Sequence, residues 1–147
     1  MRIENGLYLD GRLNAGTGVR MLLKCLFGGV AYGLLEVIWR GYTHPSMVVT
    51  GGVCFSLICT LNGRLAHRSL LCRSAACTAC VTALEFCVGI LVNHVFRMGV
   101  WDYSDEWMHL LGQICPLYSC FWFGLCLALS FLLPHIHLSV IYPNFKK

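Results

Sequence analysis

Two glutamates occupy places where a carboxylate is costly. Glu85 lies midway between Ser74 and Phe96 in a run that is otherwise mostly apolar. A charged carboxylate at the centre of a bilayer costs at least about 2.5–3.5 kcal/mol, so an acid there raises a functional hypothesis by default. Its options are to be protonated, to pair with a cation, or to line a wet cavity. Lys24 and Arg73 fall at the ends of their own apolar runs and reach inward only by stretching. Glue between helices and a proton or substrate site are therefore both open for Glu85. Glu36 is followed four residues later by Arg40, the favourable order for an ion pair on one helix face.

Near the same boundary the chain places His44, Asn93, His94, Asp102, Asp105 and His109. Imidazoles and carboxylates on one surface suit a divalent cation, but no H-E-x-x-H spacing supports one, and a solvated loop is the plainer reading. His135-x-His137 is weaker still. The string Trp101-Asp102-Tyr103-Ser104 reads as a turn: Asp102 and Ser104 are short acceptors for backbone N–H groups, and the two rings suit the headgroup level. Gln113 stands between Gly112 and Ile114 at the start of the last apolar run. Cys77-Thr-Ala-Cys80 has redox or zinc spacing, yet it lies in an apolar helix with no second pair nearby. G-x-S-x-G, P-loop and G-x-G-x-x-G patterns are missing. The chain is not expected to be an enzyme, to hold a metal or cofactor, or to hydrolyse ATP through a P-loop.

Composition decides what must position these residues. Of 147 residues, 57% are hydrophobic and 12% charged, and mean hydropathy is +0.66. Soluble domains carry about 25% charged residues, so a soluble enzyme, a disordered tail and a DNA-binding module are excluded. The net charge of +4 brings no basic run longer than two residues, which removes nucleic acid as a partner. Most of the ten cysteines lie in apolar runs, where they act as small hydrophobes. About 20 helical residues cross a hydrocarbon core. Four runs fit: 21–39, 45–61, 74–96 and 110–133, the second short and interrupted by Gly51-Gly52. The expected fold is all-α, a polytopic bundle of four transmembrane helices in domain 21–133. A cytoplasmic arm, 1–20, precedes it and a cytoplasmic tail, 134–147, follows. No signal peptide is expected.

With the N-terminus in the cytoplasm, nine Lys and Arg fall inside and two, Arg40 and Arg97, outside. That bias puts both termini in the cytoplasm of a plasma-membrane protein. Leu34-Leu35-Glu36 echoes Ala83-Leu84-Glu85, and Gly52-Val53-Cys54 echoes Gln113-Ile114-Cys115, as two parallel helical hairpins would. The spacing from acid to cysteine differs between the halves, so chance similarity of apolar segments stays open. Gly29-x-x-x-Gly33 is a helix-packing pattern, again with chance as its alternative.

Two strings carry a family resemblance. One is Trp39-Arg40-Gly41-Tyr42-Thr43-His44-Pro45-Ser46-Met47 with Gly51-Gly52-Val53-Cys54-Phe55. The other is Trp101-Asp102-Tyr103-Ser104 with Leu110-Leu111-Gly112-Gln113-Ile114-Cys115. Together they resemble the bacterial membrane family described as "Putative ABC-transporter type IV", over roughly residues 28–132, with departures at Pro45, Trp107 and His109. The resemblance implies four or more membrane helices and a permease-like transport component, and it supplies no catalytic residue. Such a component lacks its own ATPase and needs a homo-oligomer, a membrane-protein partner or a separate ATPase subunit beside the lipid bilayer. The alternative is a non-transporting membrane protein: a small channel, a holin-like pore former or a scaffold. An intramembrane enzyme is the weakest reading, since no nucleophile–base pair can be named.

Overall fold

The computed structural model describes residues 4–135, with side chains from 16 onward. It contains four helices: α1 (Glu4–Arg40), α2 (Pro45–Arg64), α3 (Leu70–Gly89) and α4 (Pro116–Leu132). A π-helical turn, Ile90–Val95, extends α3. No strand occurs among the described residues. Among the described residues three helical stretches are long and apolar enough to cross a membrane: Gly16–Arg40, Pro45–Arg64 and Leu70–Val95. The fourth, Pro116–Leu132, is shorter. The expected tail and the His135-x-His137 pair reach beyond the described residues.

Local chemistry explains the boundaries. Gly41 ends α1 in a left-handed conformation, φ 80°, and its N–H bonds back to the Val37 carbonyl at 2.8 Å. That is the αL stop, which glycine adopts without a Cβ penalty. His44 then caps α2: its Nδ1 accepts from the Ser46 N–H at 3.3 Å and from the Ser46 hydroxyl at 2.8 Å. Pro45 follows in the first turn, where its missing N–H costs nothing. Ser69 caps α3 through the Cys72 N–H at 3.3 Å.

Packing departs from the pattern of a soluble bundle. The most deeply buried side chains are Ile58 and Val81 together with the small or polar Asn62, Cys59, Cys77, Cys126, Ser74 and Ser130, while Val30, Leu34 and Ile38 point outward. Lipid tails are as apolar as leucine, so large residues need no burial and small ones let helices approach. Two hydroxyls of α3 are spent locally: Ser74 and Thr78 each donate to the carbonyl one turn back, at 2.9 and 2.8 Å. All ten cysteines are free. Cys77 is fully buried and receives the Asn62 amide at 3.5 Å, while Cys80 is partly exposed.

The helices pair in order, α1 with α2 and α3 with α4, with α2 against α3. Glycines decide how close the first pair comes. A Cβ on Gly29 would meet the Val48 carbonyl oxygen at 2.7 Å, and one on Gly33 would meet the Val48 side chain at 3.1 Å. On Gly52 it would collide with the Cys25 carbonyl. The Gly29-x-x-x-Gly33 pattern is thus the α1–α2 contact, and Gly51-Gly52 allows tight packing.

One boundary differs from the hydropathy reading. The run 110–133 is not helical until Pro116. Leu111 and Gly112 are left-handed, φ 52° and 67°, and Leu110 pairs with Ile114 in an isolated bridge. Hydropathy registers that these residues are apolar, not that their backbone turns back on itself.

Candidate functional site

One end of the bundle, holding the Gly41–His44 turn and the 96–115 segment, is capped by polar side chains. Asn93, in the π-helical turn, is the clamp. Its amide donates to the Trp101 carbonyl at 3.0 Å and to Gln113 Oε1 at 2.7 Å, and its Oδ1 accepts from the Val100 N–H at 2.7 Å. Gln113 also donates to the Leu111 carbonyl at 3.0 Å, and His94 Nε2 donates to the same oxygen at 3.1 Å. A left-handed leucine costs about 1–2 kcal/mol; these two donors hold Leu111 there. The Trp101 indole donates to the Gln113 carbonyl at 3.2 Å. The two strings of the last loop are therefore halves of one cap. Within it Ser104 donates both its hydroxyl and its N–H to Asp102 Oδ1. Those bonds hold the exposed Asp102 carboxyl below its ordinary range.

Beneath and beside the cap opens a cleft of about 610 Å³. From α1 it takes Tyr32, Leu35, Glu36 and Trp39, and from α4 Tyr118, Phe121, Trp122 and Leu125. Each set has the i, i+3, i+4, i+7 spacing of one helical face. Tyr42, Trp101 and Tyr103 supply further rings, and Asp102, Asp105 and Glu106 supply acid. The rings meet in pairs: Tyr103 stacks on Tyr118 with centroids 4.2 Å apart, and Tyr32 on Trp122 at 5.6 Å. Burial holds the Tyr103 hydroxyl above the ordinary phenol value.

Glu36 is 5% exposed. It accepts from Arg40 Nη2 at 2.7 Å and from the Thr43 hydroxyl. Arg40 also lies over the Tyr42 ring, 5.0 Å from its centroid. Glu85 is 4% exposed and stands behind the cleft wall. Its Oε2 accepts from the Trp122 indole at 2.8 Å and its Oε1 from the Tyr103 hydroxyl at 3.3 Å. Both donors are cleft-lining rings.

Of the residues singled out in the sequence, Glu36, Arg40, Trp101, Asp102 and Tyr103 meet on the cleft. Ser104 braces Asp102 and Gln113 braces Trp101. His44 is a helix cap. Among the described residues no group of three His, Cys, Asp or Glu is placed to hold a metal ion. Tyr32, Tyr118 and Trp122 were not foreseen, although their helical spacing beside Glu36 and Leu125 was a readable signal.

These features define a membrane helix bundle whose capped end opens into an aromatic, acid-rimmed cleft. The family described as "Putative ABC-transporter type IV" matches residues 34–145, and the chain belongs to that family. No curated protein and no solved structure matches it.

Proposed function

We propose that the chain is a permease-like, non-enzymatic subunit of a membrane transport system, and that the cleft at its capped end is the solute port. The observation that carries this reading is the union of an open cleft with Glu85, a buried acid whose two donors, Tyr103 and Trp122, form the cleft wall. A solute that moves either ring alters the bonding of that acid, which is how a port communicates with the bundle interior. Four helices enclose too little for alternating access alone, so a second copy or a membrane partner completes the pathway. The energy source is a separate ATPase subunit. The bias of nine cations against two supports a multi-pass plasma-membrane protein with both termini in the cytoplasm and the cleft outside.

The tight glycine contact between α1 and α2 also suits a small pore former or scaffold. Purification from native membranes in mild detergent, followed by mass spectrometry of what accompanies the chain, separates the two. Recovery of a nucleotide-binding subunit supports the permease reading. Recovery of the chain as a lone oligomer that leaks ions unselectively in planar bilayers replaces it.

A further inference from the structure

Next to the capped-end cleft lies a second, apolar cavity of about 150 Å³ between α1, α2 and α4, lined by Phe27, Gly28, Ala31, Phe55, Ile58 and Leu129 among others. The two cavities share Tyr32, Leu35, Trp122 and Leu125 in their walls, so they adjoin across the stacked Tyr32–Trp122 pair. α1 and α4 meet along the cleft through ring contacts, Tyr32 with Trp122 and Trp39 with Phe121.

We propose that these two adjoining cavities bind an amphipathic organic cation, with an ammonium head among the rings and acids of the cleft and an alkyl chain that passes the Tyr32–Trp122 pair into the groove between α1, α2 and α4. The inference rests on the reading of the cleft as a solute port and names the class of solute. Charge and shape favour it together. Aromatic faces attract ammonium groups through their quadrupoles, and several rings around one space make a cage for a quaternary head. Arg40 over Tyr42 already places one cation on a ring of this cleft. Arg40 and Glu36 neutralise each other, which leaves Asp102, Asp105 and Glu106 as the cleft's excess charge, all negative. An anionic head meets three carboxylates there. The groove offers rings, glycine, alanine and aliphatic side chains, the surroundings an alkyl chain prefers.

The test is equilibrium dialysis of the intact chain in non-ionic maltoside micelles against protein-free micelles. The probes are tetramethylammonium, alkyltrimethylammonium ions from butyl to octyl, octanesulfonate and octylphosphocholine. The expected result is saturable binding that tightens about fourfold per methylene, referred to ligand free in water, with no saturable binding of octanesulfonate. Octylphosphocholine binding as tightly as octyltrimethylammonium assigns the head to choline lipids; weaker binding assigns it to free cations. Ala31→Phe, at an exposed helix position lining the groove, should flatten the chain-length series while leaving tetramethylammonium unchanged. Asp105→Asn with Glu106→Gln should weaken every cation several-fold. Equal binding of octanesulfonate, absence of saturable cation binding, or a chain-length series indifferent to Ala31→Phe overturns the proposal. Dialysis needs neither flux nor an ATPase. Binding without a co-purifying ATPase overturns the transport reading and leaves the site; an ATPase partner without binding does the reverse.

Discussion

The Trp122 indole donates to Glu85 Oε2 at 2.8 Å, so the acid of α3 is gripped by a ring that also walls the cleft. The bond joins α3 to α4 in the half of the chain where Tyr103 reaches down from the cap to the same carboxyl group. One side chain thus gathers two helices and a loop.

Replacing that acid separates its structural and functional parts. Glu85→Leu leaves the Trp122 N–H and the Tyr103 hydroxyl without their acceptor, at about 1–3 kcal/mol for each unsatisfied group. The melting temperature in detergent should fall clearly. Glu85→Gln keeps an acceptor oxygen and should fold with a small loss. Equal melting of Glu85→Leu and wild type would show that neither bond holds the bundle.

The cap depends on Asn93, which lies outside the two family strings. Three bonds end on it, so Asn93→Ala should destabilise by about 2–3 kcal/mol and speed proteolysis of the 96–115 segment. Gly112→Ala should act in the same direction. At φ 67° any Cβ is strained, and this one would lie 2.7 Å from the Ser104 hydroxyl. Limited proteolysis timed beside thermal melting checks both variants.

How much of this was readable beforehand follows physical lines. Hydropathy located the helices because lipid demands length and apolarity, and the Glu36–Arg40 pair followed from helical spacing alone. Leu111 and Gln113 fall inside an apolar run yet outside α4, because a tight turn built on left-handed residues leaves no mark in an apolar count. The cleft escaped for another reason. Tyr32 and Trp122 lie ninety residues apart, and nothing local in either segment announces that their rings stack. The role of Asn93 was hidden likewise, since its partners come from two later segments.

Close packing of the first hairpin predicts unequal responses to one added methyl group. Gly29→Ala drives a Cβ to 2.7 Å from the Val48 carbonyl oxygen, whereas at Gly63 nothing lies within 4 Å. Gly29→Ala should cost about 1–3 kcal/mol through overpacking. Gly63→Ala, in the last turns of α2, should be neutral or mildly stabilising. Melting curves of the two purified variants make the comparison, and equal shifts would contradict the α1–α2 geometry.

Asp102 predicts an acid-side effect. Its folded carboxyl is held below the ordinary value by the Ser104 hydroxyl and N–H. A depressed folded value means the stabilisation is complete above the unfolded pKa of about 3.9 and is lost as pH falls through the lower folded value. Melting temperature should therefore drop below about pH 4 in wild type, and less steeply in Asp102→Asn. Both proteins should show a flat response above that range so far as this residue is concerned. An identical acid limb in the two proteins would mean the Asp102–Ser104 bonds contribute nothing to the cap.

Orientation offers the most direct check on which face of the membrane the cleft serves. Asp105 is exposed at the capped end, and His67 is exposed in the turn between α2 and α3. Cysteine placed at either position reports sidedness once the ten native cysteines are replaced. Five of these are buried, so alanine, which brings no new polar group into the packing, is the suitable replacement. A thiol reagent that cannot cross membranes, applied to intact cells, should label Asp105→Cys and spare His67→Cys. Both should label after detergent is added, which shows that neither thiol is sterically hidden. The positive-inside bias makes this outcome the expected one, because Arg64, Arg68 and Arg73 surround the α2–α3 turn whereas the capped end carries Asp102, Asp105 and Glu106. The opposite pattern would turn the cleft toward the cytoplasm and make it an entry for solutes leaving the cell.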